Sequence, residues 1–331
     1  MRPMRRIPER SSPPEHPARR AVLRRLAALL AWAGLPSRLR AAPPASGSLP
    51  RRALGRTGVE LPVLGLGGFH VGKAPTEKDA RRLVETAFSE GIRFFDNAES
   101  YQKGRAERWM GAALEGIRDQ VFLMTKTFDL AKRDAEGAKR HLEGSLERLR
   151  TDHLDLWQLH SVRSVADVER AFRKGGAMEY ILEQKRLGVV RFVGVTGHKD
   201  PEANLRALAF WDEGWRFDVM QMPLNPIDYH QKSFQRRVLP ELVRRGIGVL
   251  AMKTNAGGAL ASRGVCTVEE SLRYVLALPV SVVISGMETP EQVRRNAAIV
   301  RESAPMSESE RRALLERIAP RAGLELEWYK S

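Results

Sequence analysis

The run Ile92-Arg93-Phe94-Phe95-Asp96-Asn97-Ala98-Glu99-Ser100-Tyr101 starts as an apolar strand and ends in a carboxylate, an amide and a phenol. The segment before it, Thr76–Glu90, has the spacing of an amphipathic helix. Thr76 can cap it, Asp79 sits three residues on, and Ala80, Leu83, Val84, Ala87 and Phe88 share one face. Gly91 then ends it. A helix, a glycine and a short strand that stops at polar residues make one unit of a parallel α/β sheet. Working outward, the unit recurs. Strands are expected at Val63–Leu66, Ile92–Phe95, Val121–Thr125, Leu154–Leu159, Phe192–Val195, Val219–Met222, Gly248–Met252 and Val282–Ser285, each followed by helical spacing. Eight such units predict an α/β fold of the closed (β/α)8 TIM barrel type. Arg52–Leu54 and Glu60–Leu61, joined through Gly55-Arg56-Thr57-Gly58, predict an N-terminal β-hairpin capping the barrel floor. The residues after the last unit predict a C-terminal extra helix and tail.

In such a barrel the residues just past each strand face one mouth, where the active site lies. Asp96 and Tyr101 follow one strand, Lys126 follows the next, and His160 follows the one after. A carboxylate, a phenol, an amine and an imidazole gathered there can move a proton to or from a carbonyl oxygen. Tyrosine is a poor acid at neutral pH, because its pKa is about 10. A nearby ammonium stabilises the phenolate, so Lys126 is expected to lower it. Asp96 would hold Lys126 charged and in place, and His160 would donate to the carbonyl oxygen.

Phe94-Phe95-Asp96-Asn97-Ala98-Glu99-Ser100-Tyr101, with Lys126 and His160, resembles the aldo-keto reductase tetrad in order and spacing. Leu54-Gly55-Arg56-Thr57-Gly58, Gly65-Leu66-Gly67-Gly68 and Leu154-Asp155-Leu156-Trp157-Gln158-Leu159-His160 resemble further motifs of that family, over about residues 49–317. Gly104-Arg105-Ala106-Glu107 stands where the family has a glycine and a helix-starting glutamate, but Gln102 and Lys103 lengthen the step from Tyr101. The resemblance implies an NAD(P)H-dependent oxidoreductase that reduces an aldehyde or ketone. Tyr101 would be the general acid, Lys126 and Asp96 its tuners, and His160 the donor that orients a small-molecule carbonyl substrate.

The chain has no Rossmann-type phosphate loop; Gly65-Leu66-Gly67 is a fragment, with Gly68 and Phe69 after it, rather than a full motif. The resemblance instead implies a dinucleotide extended across the barrel mouth. It places Thr196, Gln221 and Asn225 near the nicotinamide, and Met252 where many members stack a tyrosine on that ring. Gly197 lacks the amide that members carry there, and His198 is a candidate substitute. Gly286, Gln292 and Asn296 match the adenosine-phosphate segment at a helix N-terminus, a natural anion site. NADP(H) is the family's usual cofactor. Glu288 and Thr289 stand where basic residues often accompany a 2′-phosphate, so Glu288 near the ribose favours accepting NAD(H). Two rivals remain. A Schiff-base aldolase would need Lys126 free of Asp96. A non-catalytic nicotinamide-nucleotide-binding regulatory subunit would bind cofactor without turnover, and the intact tetrad argues against it.

Of 331 residues, 55 are Lys or Arg and 40 are Asp or Glu, a formal charge of +15. Twelve arginines oppose only Glu9 and Glu15 within residues 1–52, which carries most of that excess and leaves an ordinary remainder. Nucleic acid is therefore not an expected partner. The single cysteine, Cys266, excludes an intrachain disulfide and any all-cysteine metal site, and no metal is expected. Residues 1–48 read as a leader, disordered or cleaved, and 49–331 as the barrel domain. Arg19 and Arg20 precede the apolar stretch Leu26–Leu35, and small residues follow at Ala41-Ala42. The stretch is too short to span a bilayer. The layout is that of an export signal and resembles a degenerate twin-arginine signal. It predicts a periplasmic protein that meets the membrane only transiently, with a cytoplasmic protein as the alternative.

Overall fold

The computed structural model describes residues 47–331. The expected leader, with Arg19, Arg20 and Ala42, lies outside the described residues. Leu49 is already buried, and the Pro50 carbonyl accepts a hydrogen bond from the Val63 N–H at 2.8 Å.

The described residues contain ten strands. β1 (Arg51–Ala53) and β2 (Glu60–Pro62) form the antiparallel hairpin. β3 (Leu64–Gly67), β4 (Phe94–Asp96), β5 (Phe122–Thr127), β6 (Leu154–Val162), β7 (Val190–Gly197), β8 (Val219–Pro223), β9 (Gly248–Met252) and β10 (Val282–Ser285) are parallel and close into a barrel, with β10 pairing β3. Helices alternate with these strands. The Glu77–Ser89 helix is capped by Thr76, whose hydroxyl accepts from the Asp79 N–H, and Gly91 follows at φ +85°. A further helix, Glu308–Ile318, precedes the tail.

Several strands run further than the hydrophobic pattern predicts. β5 continues through Lys126 to Thr127, and β6 through His160 to Val162. Hydropathy falls at those polar residues, but backbone pairing does not: Lys126 pairs with Gln158, Thr127 with Leu159, and Val162 with Gly197. Lys126 is therefore fixed by the sheet ladder itself, while His160 lies in the register shift between Leu159 and Val162.

The core has two parts. One lies between the strands and the surrounding helices. The other fills the barrel, with Phe94, Phe122, Met124, Leu156, Phe192, Val219, Leu250 and Val282 meeting Leu54 and Leu61 of the hairpin. Phe94 stacks on Phe122 at 5.3 Å and Phe122 on Phe192 at 6.2 Å. The hairpin seats tightly because Gly55, at φ +54°, lies on the Gly246–Gly248 backbone; a Cβ there would stand 2.4 Å from the Gly248 nitrogen. Arg52 ties it down through the carbonyls of Leu276, Leu278 and Val280. With the floor sealed, strand alternation sends the next inward residues toward the opposite end: Asp96 after Phe94, Lys126 after Met124, and His160 after Gln158. Among the described residues no helix is long and apolar enough to cross a membrane, and no group of three or more His, Cys, Asp or Glu is placed to hold a metal ion.

Candidate active site

β4 ends on Asp96, and the chain turns at once. The Asn97 side chain donates to the Ala106 carbonyl at 3.1 Å and accepts from the Ala98 N–H at 2.9 Å. The Tyr101 N–H donates to the Ala98 carbonyl at 3.1 Å. This tight turn brings Tyr101 back over the barrel. Gln102, Lys103 and Gly104 then run through left-handed backbone at φ +46°, +55° and +80° before the Arg105–Ala113 helix begins. The two added residues thus form a strained reversal beside the tyrosine. Glu107 at the start of that helix is fully buried and accepts from Thr125 Oγ1 at 2.5 Å and Arg148 Nε at 2.7 Å.

The four expected groups converge. The Lys126 ammonium, 1% exposed, donates to Asp96 Oδ1, to the Asn97 carbonyl at 2.6 Å and to the Tyr101 hydroxyl at 3.3 Å. The Tyr101 and His160 rings are 5.8 Å apart, edge to face. Burial pulls the Lys126 pKa down, but Asp96 and Tyr101 more than reverse this, so the pKa rises and the ammonium stays charged. Tyr101 departs from the sequence expectation. Lys126 does favour the phenolate, but burial outweighs it and raises the pKa above the usual tyrosine value. The resting group is therefore the protonated phenol, which is the form a proton donor needs. Burial and the cations around it, Lys126 first among them, hold His160 well below its ordinary pKa. Its imidazole is neutral.

His160 is set by a device the sequence did not reveal. β6 shifts register between Leu159 and Val162, with Ser161 at φ +57°. The fully buried Arg133 holds this bulge: it donates to the His160 carbonyl at 2.8 Å and the Ser161 carbonyl at 2.9 Å, and pairs with both oxygens of Asp167 at 2.9 Å. A bulge of this kind re-aims a side chain beside a site.

Several buried polar atoms at this end of the barrel have no partner among the described residues: His160 Nδ1, Thr196 Oγ1, Gln221 Oε1 and Asn296 Oδ1. Buried polar atoms are normally satisfied, so a cluster of orphans marks places where a ligand's groups belong. Thr196 ends the inward row of β7, and Gln221 Nε2 lies 3.5 Å from Asp96 Oδ1 and 3.6 Å from the Met252 sulfur.

Residues 63–268 match the sequence model of the Aldo/keto reductase family. The chain belongs to this family of oxidoreductases. Among its relatives, an uncharacterised oxidoreductase, YrpG, of Bacillus subtilis is 29% identical over 63% of this chain and 68% of that one. A protein of Oryza sativa subsp. japonica named "Probable voltage-gated potassium channel subunit beta" is 26% identical over 63% of this chain and 65% of that one. Among solved structures, aldo-keto reductase AKR11C1 from Bacillus halodurans, in its holo form, superposes with a TM-score of 0.68 at 23% identity, covering 81% of this chain and 96% of that one. That likeness carries the fold.

For an aldo/keto reductase, the remaining expected positions fall out unevenly. Thr196, Gln221 and Met252 stand at the mouth beside the tetrad. Asn225 does not offer its side chain there. Its amide donates to the Lys253 carbonyl at 3.2 Å and to the Tyr329 hydroxyl at 2.9 Å, and its oxygen accepts from the Asp228 N–H. Tyr329 of the tail thus engages the amide that the resemblance sets toward a nicotinamide. Gln292 folds back to accept from the Glu288 N–H at 2.8 Å. Glu288 itself reaches the imidazole of His70 at 3.1 Å, from the short helix after β3. That imidazole lies on Gly286, where a Cβ would stand 2.3 Å from its Nε2. His198 has no hydrogen bond among the described residues, and burial with Lys253 and Arg163 nearby takes its pKa down to about 4.

Phe69 meets Tyr101 edge to face at 5.3 Å, and Phe128 lies 5.1 Å from His160, so both line the approach to the tetrad. Phe128 and Lys253 were missed in the sequence. Lys253 directly follows Met252 at the end of β9, and the rule that singled out Lys126 would have found it.

Proposed function

We propose that this aldo/keto reductase reduces an aldehyde or ketone to an alcohol with a nicotinamide dinucleotide, Tyr101 delivering the proton to the carbonyl oxygen. The observation that carries the reading is the buried Lys126 ammonium bonded at once to Asp96 and to the Tyr101 hydroxyl. Relatives in this family include proteins named as an oxidoreductase and as a probable channel subunit, so family alone does not choose; the intact proton-transfer set supports the reductase reading.

The orphaned atoms of Thr196, Gln221 and Asn296 fit a ligand rich in amide, hydroxyl and phosphate groups. Thr196 and Gln221 would meet the nicotinamide end, and Asn296 with Gly286 the adenosine end. When bound, the dinucleotide supplies hydride to the carbonyl carbon. As negative charge grows on the oxygen, the neutral His160 donates an N–H to it and Tyr101 gives up its proton. Lys126 then stabilises the phenolate, the one state in which its charge matters most. Asp96 keeps that ammonium charged and aimed. Glu288 carries a negative charge that a neutral His70 does not cancel, since burial lowers the His70 pKa. A carboxylate there disfavours a 2′-phosphate, so NADH is expected to serve as well as NADPH.

The test is a panel of aldehydes and ketones with NADH and NADPH, run on the wild type and on Tyr101→Phe. The wild type should oxidise both cofactors. The variant should lose at least about 10²-fold in turnover while binding cofactor normally, the scale expected for a positioned general acid. Cofactor binding with no turnover of any carbonyl would instead favour the non-catalytic subunit.

A further inference from the structure

Most deeply placed cations of this protein have an anion beside them: Lys126 has Asp96, Arg133 has Asp167, and Lys330 has Asp228 and Glu327. Lys253 does not. It is only partly exposed, its backbone is left-handed at φ +57°, and among the described residues its ammonium has no ion pair or hydrogen bond. It rests instead on two rings of the tail, 4.9 Å from the centre of Trp328 and 5.6 Å from that of Tyr329. Aromatic faces offset part of the cost of removing an ammonium from water, but not the charge. A second cation, Arg163, stands just past β6, 5.9 Å over the Phe128 ring, and its side chain likewise has no anion among the described residues.

Ring contacts lead from each cation into the mouth. From Arg163 the path runs through Phe128 to His160 and Tyr101. From Lys253 it runs through Tyr329 to His198, 6.4 Å away. Val162 pairs with Gly197, so Arg163 and His198 leave adjacent strands side by side, and both cations lower the His198 pKa. Two unpaired cations at one mouth, Lys253 partly buried and Arg163 exposed, attract and orient an anion.

The dinucleotide's phosphates are one anion to consider. Barrel order separates the sources. The strands run β10-β3-β4-β5-β6-β7-β8-β9 around the ring, so β6 and Arg163 lie across the barrel from β10 and the Gly286–Asn296 segment. Lys253, on β9, neighbours β10. Arg163 is therefore the cation that a phosphate at β10 cannot use.

Resting on the carbonyl-reductase reading, we propose that the substrate carries an anionic oxyacid group, a carboxylate or phosphate, received by Arg163 and Lys253 beside the aromatic walls of Phe128 and Tyr329. The carbonyl would then sit at Tyr101 and His160 with the charged end toward His198.

The test compares 4-carboxybenzaldehyde with its neutral methyl ester, two aldehydes that differ at the far end of one ring. The wild type should favour the carboxylate by about tenfold or more in kcat/KM, and high salt should shrink that ratio. Arg163→Gln and Lys253→Met should each cut the ratio several-fold, chiefly through KM, and together bring it near one. Dinucleotide affinity, read by quenching of protein fluorescence without aldehyde, should be unmoved by Arg163→Gln. A wild type that reduces the ester as well as the acid would overturn this inference and leave the carbonyl-reductase reading standing. A ratio untouched by either variant would also overturn it, as would Lys253→Met weakening only the dinucleotide while Arg163→Gln does nothing. No turnover of either aldehyde with either cofactor would overturn this inference, and only no turnover of any carbonyl in the wider panel would overturn the reductase reading as well.

Discussion

At the scale of single residues, the chemistry rests on a charge buried with several partners. Lys126 is held by Asp96, the Asn97 carbonyl and the Tyr101 hydroxyl, with almost no access to water. Removing one partner of such a pair leaves the other ionised group stranded, which typically costs about 3–5 kcal/mol. Lys126→Met is therefore expected to lose activity and also stability, seen as a lowered midpoint in urea. Lys126→Met combined with Asp96→Asn should recover much of the stability and none of the activity. If the single variant were as stable as the wild type, the Asp96 carboxylate would have another source of compensation. Tyr101 shows how far residue-level reading reaches. The sequence places a phenol near an ammonium, which argues for a lowered pKa; it does not show that the phenol is buried, and burial decides the sign.

At the scale of elements, the loop between β4 and the Arg105–Ala113 helix is the most loaded part of the site. It carries Tyr101 on a tight turn and left-handed backbone, and it also carries Glu99. The Glu99 carboxyl is pushed up to about 7, first by burial and then by Glu107, with Arg148 opposing and Asp129 adding to the rise. His141 faces it at 3.8 Å from the next helix, and the Phe128 N–H donates to it. The folded protein thus keeps this proton to about pH 7, whereas a free glutamate loses it near 4.5. Folding takes up a proton between those values, so the contribution of Glu99 to stability falls as pH rises across that window. Glu99→Gln, which keeps the shape without the charge, should raise the melting temperature by about 2–4 °C at pH 8 and leave it unchanged at pH 4. A variant that melted lower at both values would show that the carboxylate, not its proton, is what the loop requires. β6 makes the complementary point: its bulge at Ser161, tied by Arg133, aims His160, and nothing in Leu154–His160 as a string announces it.

At the scale of the whole molecule, the tail closes onto the barrel mouth through one buried cation. Lys330 is fully buried and donates to Asp228 at 2.7 Å, to Glu327 at 2.7 Å and to the Gln231 carbonyl at 3.0 Å, while Tyr329 engages Asn225. Burial raises the Asp228 carboxyl to about 6 even with Lys330 opposing. Lys330→Met should destabilise the protein by about 3–5 kcal/mol and loosen the wall that Tyr329 and Trp328 build beside Lys253. Equilibrium unfolding together with the Km for the carbonyl substrate would show both effects, and a stable variant with unchanged Km would refute this role for the tail. The eight-strand barrel, its hairpin floor and the gathering of Asp96, Tyr101, Lys126 and His160 at its mouth were determined by the sequence alone. Period-two strands, capped helices and polar strand ends are local signals, and each survives reading one stretch at a time. What only the tertiary structure decided is how distant stretches meet. The capture of Asn225 by Tyr329, the reach of Glu288 to His70, the support of His160 by Arg133 and the unpaired state of Lys253 all join residues far apart in the chain. Each depends on burial and on which partner arrives first in space, and neither quantity is carried by any single stretch of sequence.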